Sequence, residues 1–135
     1  MLNIGIDAAK TNRFKSWAKY PNSKLLRIFS QEEIDYCLSG AQINSQSGAE
    51  RFASRFAFKE AIFKALNPFF MQNLPFLTLC NLIWIENSPS GQPKIMYKTE
   101  LNGYLSQKLN FSVSITHTLD TAIVAVIAYN IDKMD

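Results

Sequence analysis

The stretch that decides the fold is residues 49–66, which read AERFASRFAFKEAIFKAL. Phe52, Phe56 and Phe63 recur in it at steps of four and seven residues. That spacing places the three rings on one face of an α-helix. Pro68 follows soon after and ends the pattern, because proline lacks a backbone N–H and clashes with the preceding turn. We therefore predict one long helix over this stretch.

The sequence before this helix carries two possible helix starts. Ser47 is a candidate cap of the long helix, and Gly40–Gly48 is polar and loop-like. Further upstream, Ser30 is followed three residues later by Glu33, which is the spacing of a capping box. A second helix is therefore predicted over Gln31–Leu38.

The amino-terminal segment indicates a strand followed by a helix. Leu2–Ile6 is apolar with a β-branched bias, and Asp7 ends it, so we predict a short first strand. Thr11–Tyr20 mixes basic and aromatic residues in the manner of a short amphipathic helix, which Pro21 stops.

The carboxy-terminal half alternates strands and turns. Its predicted elements are strands at Leu77–Glu86 and Lys94–Lys98 joined by a turn at Asn87–Gly91, a helix at Thr99–Leu109 capped by Thr99, and strands at Phe111–Thr118 and Ala122–Tyr129. Strands and helices are mixed without strict alternation. We therefore predict the α+β class, with a small antiparallel sheet packed against one long helix and shorter helices, in one domain spanning residues 1–135.

Composition narrows the class of protein. A chain of 135 residues with 47% hydrophobic and 19% charged residues can fill a core and is not of disordered type. The net charge of +3 is too small to indicate nucleic-acid binding. The longest apolar stretch, Ala122–Tyr129, is too short to span a membrane. Two cysteines outside any metal-binding spacing, with no signal sequence, favour a reducing cytoplasm.

Four residues are the candidates for chemistry. Glu60 and Lys64 lie four apart on the long helix and share a face, either as a surface ion pair or as part of a site. Asp7 at a strand end suits a metal-binding carboxylate or a turn residue. His117 is the single histidine, and no cysteine pair accompanies it, so zinc is disfavoured. Two separated carboxylates suit magnesium, which keeps waters and binds phosphate oxygens.

Three segments together resemble a known family. They are Gly5-Ile6-Asp7 with Arg13 six residues on, the RFASRFAFKEA sequence at 51–61 continuing through Lys64-Ala65-Leu66, and VSITHT at 113–118. The order and spacing are similar to those of the holo-acyl-carrier-protein synthase group of 4'-phosphopantetheinyl transferases. Supporting pieces are RIFS at 27–30 with Glu33, and SGQPK at 90–94. The likeness runs over nearly the whole chain, and the helix motif is its most specific part.

The resemblance implies a reaction and a set of site residues. The family transfers the phosphopantetheine arm of coenzyme A to a serine of an acyl carrier protein and releases 3',5'-ADP, with no covalent enzyme intermediate. Asp7 and Glu60 would hold Mg2+, and Glu60, directly or through a water, would take the serine proton. Lys64 would stabilise the phosphates, and His117 and Thr118 would contact coenzyme A.

The resemblance also implies partners and an assembly. Arg13, with Lys19 and Arg27, would face the acidic helix of the carrier protein. Family members form homotrimers with each site between two subunits, so His117 would come from one chain and the two carboxylates from its neighbour. No nucleic acid or membrane is implied.

Two departures from the family pattern remain. Lys10 stands where the family usually has a glutamate, and Asn67-Pro68-Phe69-Phe70 replaces a glycine-rich turn. With Pro68 lacking an N–H, we expect side chains to hold the 3'-phosphate, with Lys64, Arg51 and Arg55 as candidates. At least one of the two phenylalanines is expected in the core. The departures also motivate an alternative, a non-catalytic relative that binds coenzyme A or the carrier protein. A generic basic binding module rests on the net charge alone.

Overall fold

The computed structural model describes residues 1–39 and 46–133. Its helices are α1 (Asn22–Leu25), α2 (Gln31–Leu38), α3 (Gln46–Leu66) and α4 (Phe76–Cys80). Its strands are β1 (Leu2–Lys10), β2 (Ile83–Asn87), β3 (Pro93–Tyr97), β4 (Asn110–His117) and β5 (Thr121–Tyr129). Short 3₁₀ helices lie at Thr11–Phe14, Trp17–Lys19, Asn67–Phe69, Thr99–Tyr104 and Ile131–Lys133. None of the helices in the described ranges is long and apolar enough to cross a membrane.

Two antiparallel sheets pack around α3, which confirms the predicted α+β class. The larger sheet has the strand order β1-β5-β4, and β2 pairs with β3 in the smaller one. Val126 of the central strand lies opposite Gly5 on one side and Val113 on the other. Residues alternate along β5, so that Ala122, Val124, Val126 and Ala128 are buried on the side that carries the core.

The central helix is buried on most of its circumference. Fourteen of its residues are buried, among them Phe52, Phe58 and Ile62 at 0% exposure. Since burying apolar surface stabilises a fold by roughly 25 cal/mol per Å², the buried side chains of this helix contribute strongly to folding. Because it contacts both sheets and α2, it also fixes their relative positions.

Several predictions from the pattern are confirmed. Ser30 and Glu33 form the capping box of α2, in which each side chain accepts a hydrogen bond from the other residue's N–H. The strands after residue 110 form the expected hairpin. Helix α3 ends at Leu66, just before Pro68.

The predicted end of the first strand is wrong. Strand β1 continues past Asp7 to Lys10, because residues 7–10 pair with Thr121–Val124 of β5. The predicted continuous helix at Thr11–Tyr20 is also wrong. Two short 3₁₀ turns replace it, and they bury Phe14 against the aromatic core.

The predicted start of the long helix needs correction. The helix already includes Gln46, so Ser47 lies inside it and is not its cap. Residues 46–48 are therefore helical rather than loop, while the remainder of the predicted Gly40–Gly48 loop lies outside the described residues.

Two elements of the carboxy-terminal half differ from prediction. The apolar run at Leu77–Glu86 divides into the end of α4 and most of β2, because short apolar runs fit both element types and Pro75 precedes the helical turn. The predicted helix at Thr99–Leu109 is a 3₁₀ helix that ends at Tyr104 and begins after Lys98, so Thr99 is not its cap. Leu105 then bridges to Phe70, which ends the helical turn.

Candidate functional site

Strand β1 lies against α3 at an unusually short distance. A Cβ placed on Gly5 would overlap the backbone of Ala61 and Ala65, so only glycine permits this approach. The amide of Asn3 donates to the carbonyl of Ala65 at 3.0 Å, near the end of the helix. The close approach brings Asp7, two residues after Gly5, to the helix residues Glu60 and Lys64.

We call Asp7, Glu60 and Lys64 the carboxylate cluster. Lys64 Nζ lies 3.0 Å from Asp7 Oδ1 and donates to the carbonyl of Ile6 at 3.0 Å. The ion pair formed by Lys64 among the described residues is therefore with the strand, and not the pair with Glu60 that the spacing suggested. The Lys64 side chain is 53% exposed, whereas that of Asp7 is 14% exposed.

The charges in this cluster are unevenly compensated. Partial burial raises the pKa of Glu60, and the neighbouring charge of Asp7 and a hydrogen bond to it raise it further. Lys64 and Arg13 act in the opposite direction without cancelling these effects. Two carboxylates thus lie together beside two cations, and a group of this kind suits proton transfer or cation binding.

The carboxylate cluster fits a hard divalent cation that completes its shell from outside the chain. Asp7 and Glu60 supply oxygen ligands, and a cation would relieve the repulsion that raises the pKa of Glu60. Within residues 1–39 and 46–133, no group of three or more His, Cys, Asp or Glu residues forms a metal cage. The ion would therefore need water or phosphate oxygens as further ligands, and magnesium commonly binds in this way.

Arg13 lies beside this cluster. Its guanidinium carbon is 4.7 Å from the centre of the Phe56 ring and 5.4 Å from that of Phe14. Arg13 is exposed, and its charge is felt by Glu60. The other two predicted carrier contacts, Lys19 and Arg27, are also exposed, on the elements that follow the first strand.

A second site lies between α3, the β2–β3 hairpin and β4. It is an open cleft of about 670 Å³, which we call the arginine cleft. Its lining residues are Tyr36, Ser47, Glu50, Arg51, Ser54, Arg55, Asn87, Gly91, Gln92, Pro93, Val113, Ser114, Ile115 and His117. Two arginines and a histidine face one glutamate there, so the cleft suits an anionic ligand.

The two arginines have different tasks in this cleft. Arg51 directs Nη1 at the carbonyls of Tyr36 and Ser39, at 2.8 and 2.6 Å, where it satisfies the end of α2. Arg55 is only 3% exposed and donates through Nη2 to Asn87 at 3.1 Å. Its Nε is the one buried side-chain polar atom of the described residues without a hydrogen-bond partner. An unsatisfied buried donor is costly, so Arg55 is the better candidate for an incoming anion.

His117 and Thr118 are adjacent in sequence but are placed differently. His117 lines the arginine cleft, with Nδ1 4.0 Å from Glu50 Oε2. Thr118 lies in the β4–β5 turn, where its hydroxyl donates to Asp120 at 2.6 Å and accepts from the Thr121 N–H.

The carboxylate cluster and the arginine cleft are separated within one chain. Glu50, beside His117, precedes Glu60 by ten residues, which corresponds to about 15 Å along α3. Strand β5 also lies between the strand of Asp7 and that of His117. A single protomer therefore does not bring the predicted metal ligands and His117 to one point.

The two departures from the family pattern have little effect on the carboxylate cluster. Lys10 lies on the outer face of β1, since alternate residues point to opposite sides and Asp7 points to the helix. Phe69 is fully buried, as expected for at least one of the two phenylalanines, and Phe70 packs on Phe63 with ring centres 5.8 Å apart.

The cysteines do not supply a nucleophile. Burial raises the pKa of both Cys37 and Cys80 to about 12, so both thiols are protonated at neutral pH. A thiol must lose its proton to attack or to bind a metal. Both residues are packing residues of the core.

Sequence reasoning missed two residues of the cleft. Tyr36 follows the capping-box Glu33 by one helical turn, and both arginine side chains lie over its ring. Asn87 was assigned only to a turn, although its amide binds Arg55. Neither residue has a local pattern that distinguishes it, because each acquires its role from a distant part of the chain.

Comparison with known proteins gives a consistent picture. The family model described as the 4'-phosphopantetheinyl transferase superfamily matches residues 3–125. The holo-[acyl-carrier-protein] synthase of Chloroherpeton thalassium is 32% identical over 126 residues, which cover 93% of this chain and 97% of that protein.

Solved structures agree with the described fold. The holo-[acyl-carrier-protein] synthase of Helicobacter pylori in complex with coenzyme A is 31% identical, with a TM-score of 0.69, and the match covers 93% of this chain and 99% of that one. The ACPS–CoA complex of Chronobacterium ammoniagenes has a TM-score of 0.75 at 22% identity, and the match covers 95% of this chain and 96% of that one. At this identity the likeness shows the fold alone.

Proposed function

The chain belongs to the 4'-phosphopantetheinyl transferase superfamily, and we propose that it is a holo-acyl-carrier-protein synthase of fatty acid biosynthesis. We also propose that residues 1–135 form a single domain. The protein transfers the 4'-phosphopantetheine group of coenzyme A to a serine of an apo acyl carrier protein. The observation that carries this proposal is the placement of Asp7 on β1 beside Glu60 on α3, where partial burial and the neighbouring carboxylate raise the pKa of Glu60.

The chemistry is a single phosphoryl transfer. The serine oxygen forms a bond to the β-phosphorus of coenzyme A while the phosphoanhydride bond breaks, and 3',5'-ADP leaves. Glu60, directly or through a water, accepts the serine proton. Lys64, an exposed ammonium group beside Asp7, is placed to offset charge on the phosphates.

Asp7 and Glu60 are the residues that would hold Mg2+. When bound, the ion supplies a positive charge that polarises the phosphate and neutralises the leaving group. Lys64 would then exchange part of its contact with Asp7 for contact with the phosphates, since its side chain is half exposed.

The arginine cleft is the proposed site of the nucleotide end of coenzyme A. Arg55 offers its unpartnered Nε to the 3'-phosphate, and His117 lies at the same wall. Arg51 contributes charge, although its Nη1 is already bound to α2. Thr118 is retained as a coenzyme A contact through the turn that follows His117.

A basic surface that includes Arg13 is the proposed site of the acyl carrier protein. Arg13, Lys19 and Arg27 are exposed, and Arg13 lies beside the carboxylate cluster. The partner is an acidic protein, and a basic rim acts mainly by accelerating the encounter.

We further propose that the protein is a homotrimer. The outer face of the larger sheet exposes Leu2, Ile4, Ile6 and Ile123, at 46, 53, 57 and 40%. A contiguous apolar face of this kind favours burial against another copy. Since one protomer keeps its arginine cleft apart from its carboxylate cluster, a neighbouring subunit would complete each site. The two unpaired cysteines suit a reducing cytoplasm.

The test is incubation of apo acyl carrier protein with coenzyme A and Mg2+, followed by intact mass. We expect the carrier to gain one phosphopantetheine group, and removal of the metal by a chelator to stop the gain. Binding of coenzyme A without a mass change would instead assign the chain to the non-catalytic alternative. Sedimentation velocity of the same sample tests the trimer.

A further inference from the structure

Tyr36 is the residue on which the two cleft arginines meet. The guanidinium carbon of Arg51 lies 4.6 Å from the centre of its ring, and that of Arg55 lies 4.4 Å away. Both distances are within the range of cation–π attraction. The carbonyl of Tyr36 also accepts the Arg51 hydrogen bond at 2.8 Å.

The ring counteracts a repulsion built into the helix. Arg51 and Arg55 are four residues apart on α3, and like charges at that spacing repel each other. The negative face of an aromatic ring attracts both charges and so keeps them together at the wall of the cleft. Without the ring, Arg51 keeps its hydrogen bonds to the carbonyls of Tyr36 and Ser39 but loses the attraction that offsets its repulsion by Arg55.

The position of the Tyr36 ring is fixed by the buried contacts of α2. Glu33, one turn earlier on α2, forms a fully buried ion pair with Lys59 of α3 at 2.7 Å. Its other oxygen accepts from the N–H of Ile85. Helix α2 therefore cannot slide along α3 without breaking a buried pair, and Tyr36 is held over the arginines.

We propose that Tyr36 is a positioning residue that holds Arg51 and Arg55 together as a ready-made site for a dianionic phosphate at the nucleotide end of the donor. This inference rests on the proposed function. Tyr36 acts through the arginines, and it sets the preference for donors that carry the 3'-phosphate. The transfer step at Asp7 and Glu60 is independent of it.

The experiment compares Tyr36→Phe, which keeps the ring, with Tyr36→Leu, which removes it. Binding of 3',5'-ADP is measured by calorimetry, and kcat and KM are measured with coenzyme A and with 3'-dephospho-coenzyme A. For Tyr36→Leu we expect binding of 3',5'-ADP and the KM for coenzyme A to worsen about tenfold, as the loss of two cation–π contacts implies. The KM for the dephospho donor and kcat should change less than about twofold, and Tyr36→Phe should behave as wild type.

Incorporation of pentafluorophenylalanine at position 36 covers the case in which Tyr36→Leu fails to fold. It keeps the ring shape but reverses the charge of its faces, so it should reproduce the loss of 3',5'-ADP binding. An equal loss for both donors in Tyr36→Leu, or wild-type binding with the fluorinated ring, would overturn the inference. A wild-type protein that transfers from neither donor would instead contradict the proposed function, which separates the two failures.

Discussion

Two of the ion pairs of helix α3 differ in nearly every respect. Lys59 pairs with Glu33 at 2.7 Å, and both side chains are 0% exposed. Lys64, five residues later, pairs with Asp7 at 3.0 Å, and its side chain is 53% exposed. Lys59 and Glu60 are adjacent in one sequence motif but lie in different environments. Lys59 is buried with Glu33, whereas Glu60 lies beside Asp7.

The buried pair is internally complete. The three donors of Lys59 go to Glu33, to the carbonyl of Ile83 at 2.7 Å and to that of Cys80 at 3.0 Å. Glu33 also accepts from the N–H groups of Ser30 and Ile85. A network with every member satisfied joins α2, α3 and β2 and has no capacity left for a ligand.

The carboxylate cluster, in contrast, does not have all its charges satisfied by fixed partners. Asp7 and Glu60 face each other, and their repulsion helps to raise the pKa of Glu60. Burial raises this pKa most, and Lys64 and Arg13 lower it without cancelling the rise. The comparison shows two uses of charged residues. A charged side chain that has all its hydrogen-bond partners in the core stabilises the fold, whereas one with a perturbed pKa near the surface is available for chemistry.

The largest effect is expected from removing a carboxylate of the carboxylate cluster. Asp7→Ala or Glu60→Ala should abolish transfer, a loss of at least about 10²- to 10⁴-fold, because Asp7→Ala removes a cation ligand and Glu60→Ala removes a cation ligand together with the base. Intact mass of the carrier protein measures the rate, and a thermal melt tests the fold. Glu100→Gln, in an exposed 3₁₀ helix, is the control and should keep wild-type activity. Near-normal turnover by a folded Asp7 or Glu60 variant would exclude the cluster as the active centre.

The next effect concerns stability. Lys59→Met should lower the free energy of unfolding by about 3–5 kcal/mol, since it leaves Glu33 as an unpaired buried charge. Lys64→Met on the same helix is the matched control and should cost less than about 1 kcal/mol. Urea denaturation measures both. Combining Lys59→Met with Glu33→Met should recover part of the loss, and equal losses for Lys59→Met and Lys64→Met would break the distinction between the two pairs.

A smaller effect is expected at Arg13, beside the carboxylate cluster. Arg13→Glu should raise the KM for the carrier protein by about tenfold and leave that for coenzyme A nearly unchanged, because rim charges act on encounter. The wild-type KM for the carrier should rise with ionic strength, and the variant should be less sensitive to salt. Lys108→Glu makes the same charge change in the loop before β4 and serves as the control. An effect confined to the KM for coenzyme A would assign Arg13 to the nucleotide site.

The smallest effect is a pH dependence of stability. Because the pKa of Glu60 is raised in the folded state, that state keeps its proton where the unfolded chain has lost it. Wild-type stability therefore falls as pH rises from the ordinary value of 4.5 through the raised one. Glu60→Gln lacks this fall, so its stability relative to wild type should improve with pH, by less than about 1 kcal/mol at neutral pH.

The measurement is urea denaturation of both proteins across this pH window without divalent cations. Adding Mg2+ should stabilise wild type and not Glu60→Gln, since a ligand that binds only the native state raises its stability. A relative stability that does not change with pH would contradict a raised pKa of Glu60 in the folded state.

Local sequence patterns were sufficient for the long helix, the capping box and the β4–β5 hairpin. Each depends on neighbours within a few residues: the phenylalanine spacing, Ser30 with Glu33, and the alternation after residue 110. The motif around Glu60 and Asp7 likewise supplied the family and the candidate carboxylates. Patterns failed at 77–86, where a short apolar run fits helix and strand equally well, and at 99–109, where the predicted helix is a 3₁₀ helix that ends at Tyr104.

Only the tertiary structure assigned each charge to its environment. Nothing in the order Lys59-Glu60 indicates that the lysine is buried with Glu33 while the glutamate faces Asp7. That outcome depends on how α2 and β1 pack on different faces of α3, and on Gly5, which allows the strand to reach the helix backbone. The placement of Tyr36 over two arginines has the same origin. Burial and electrostatic compensation arise between residues distant in sequence, so they are fixed by packing rather than by local pattern.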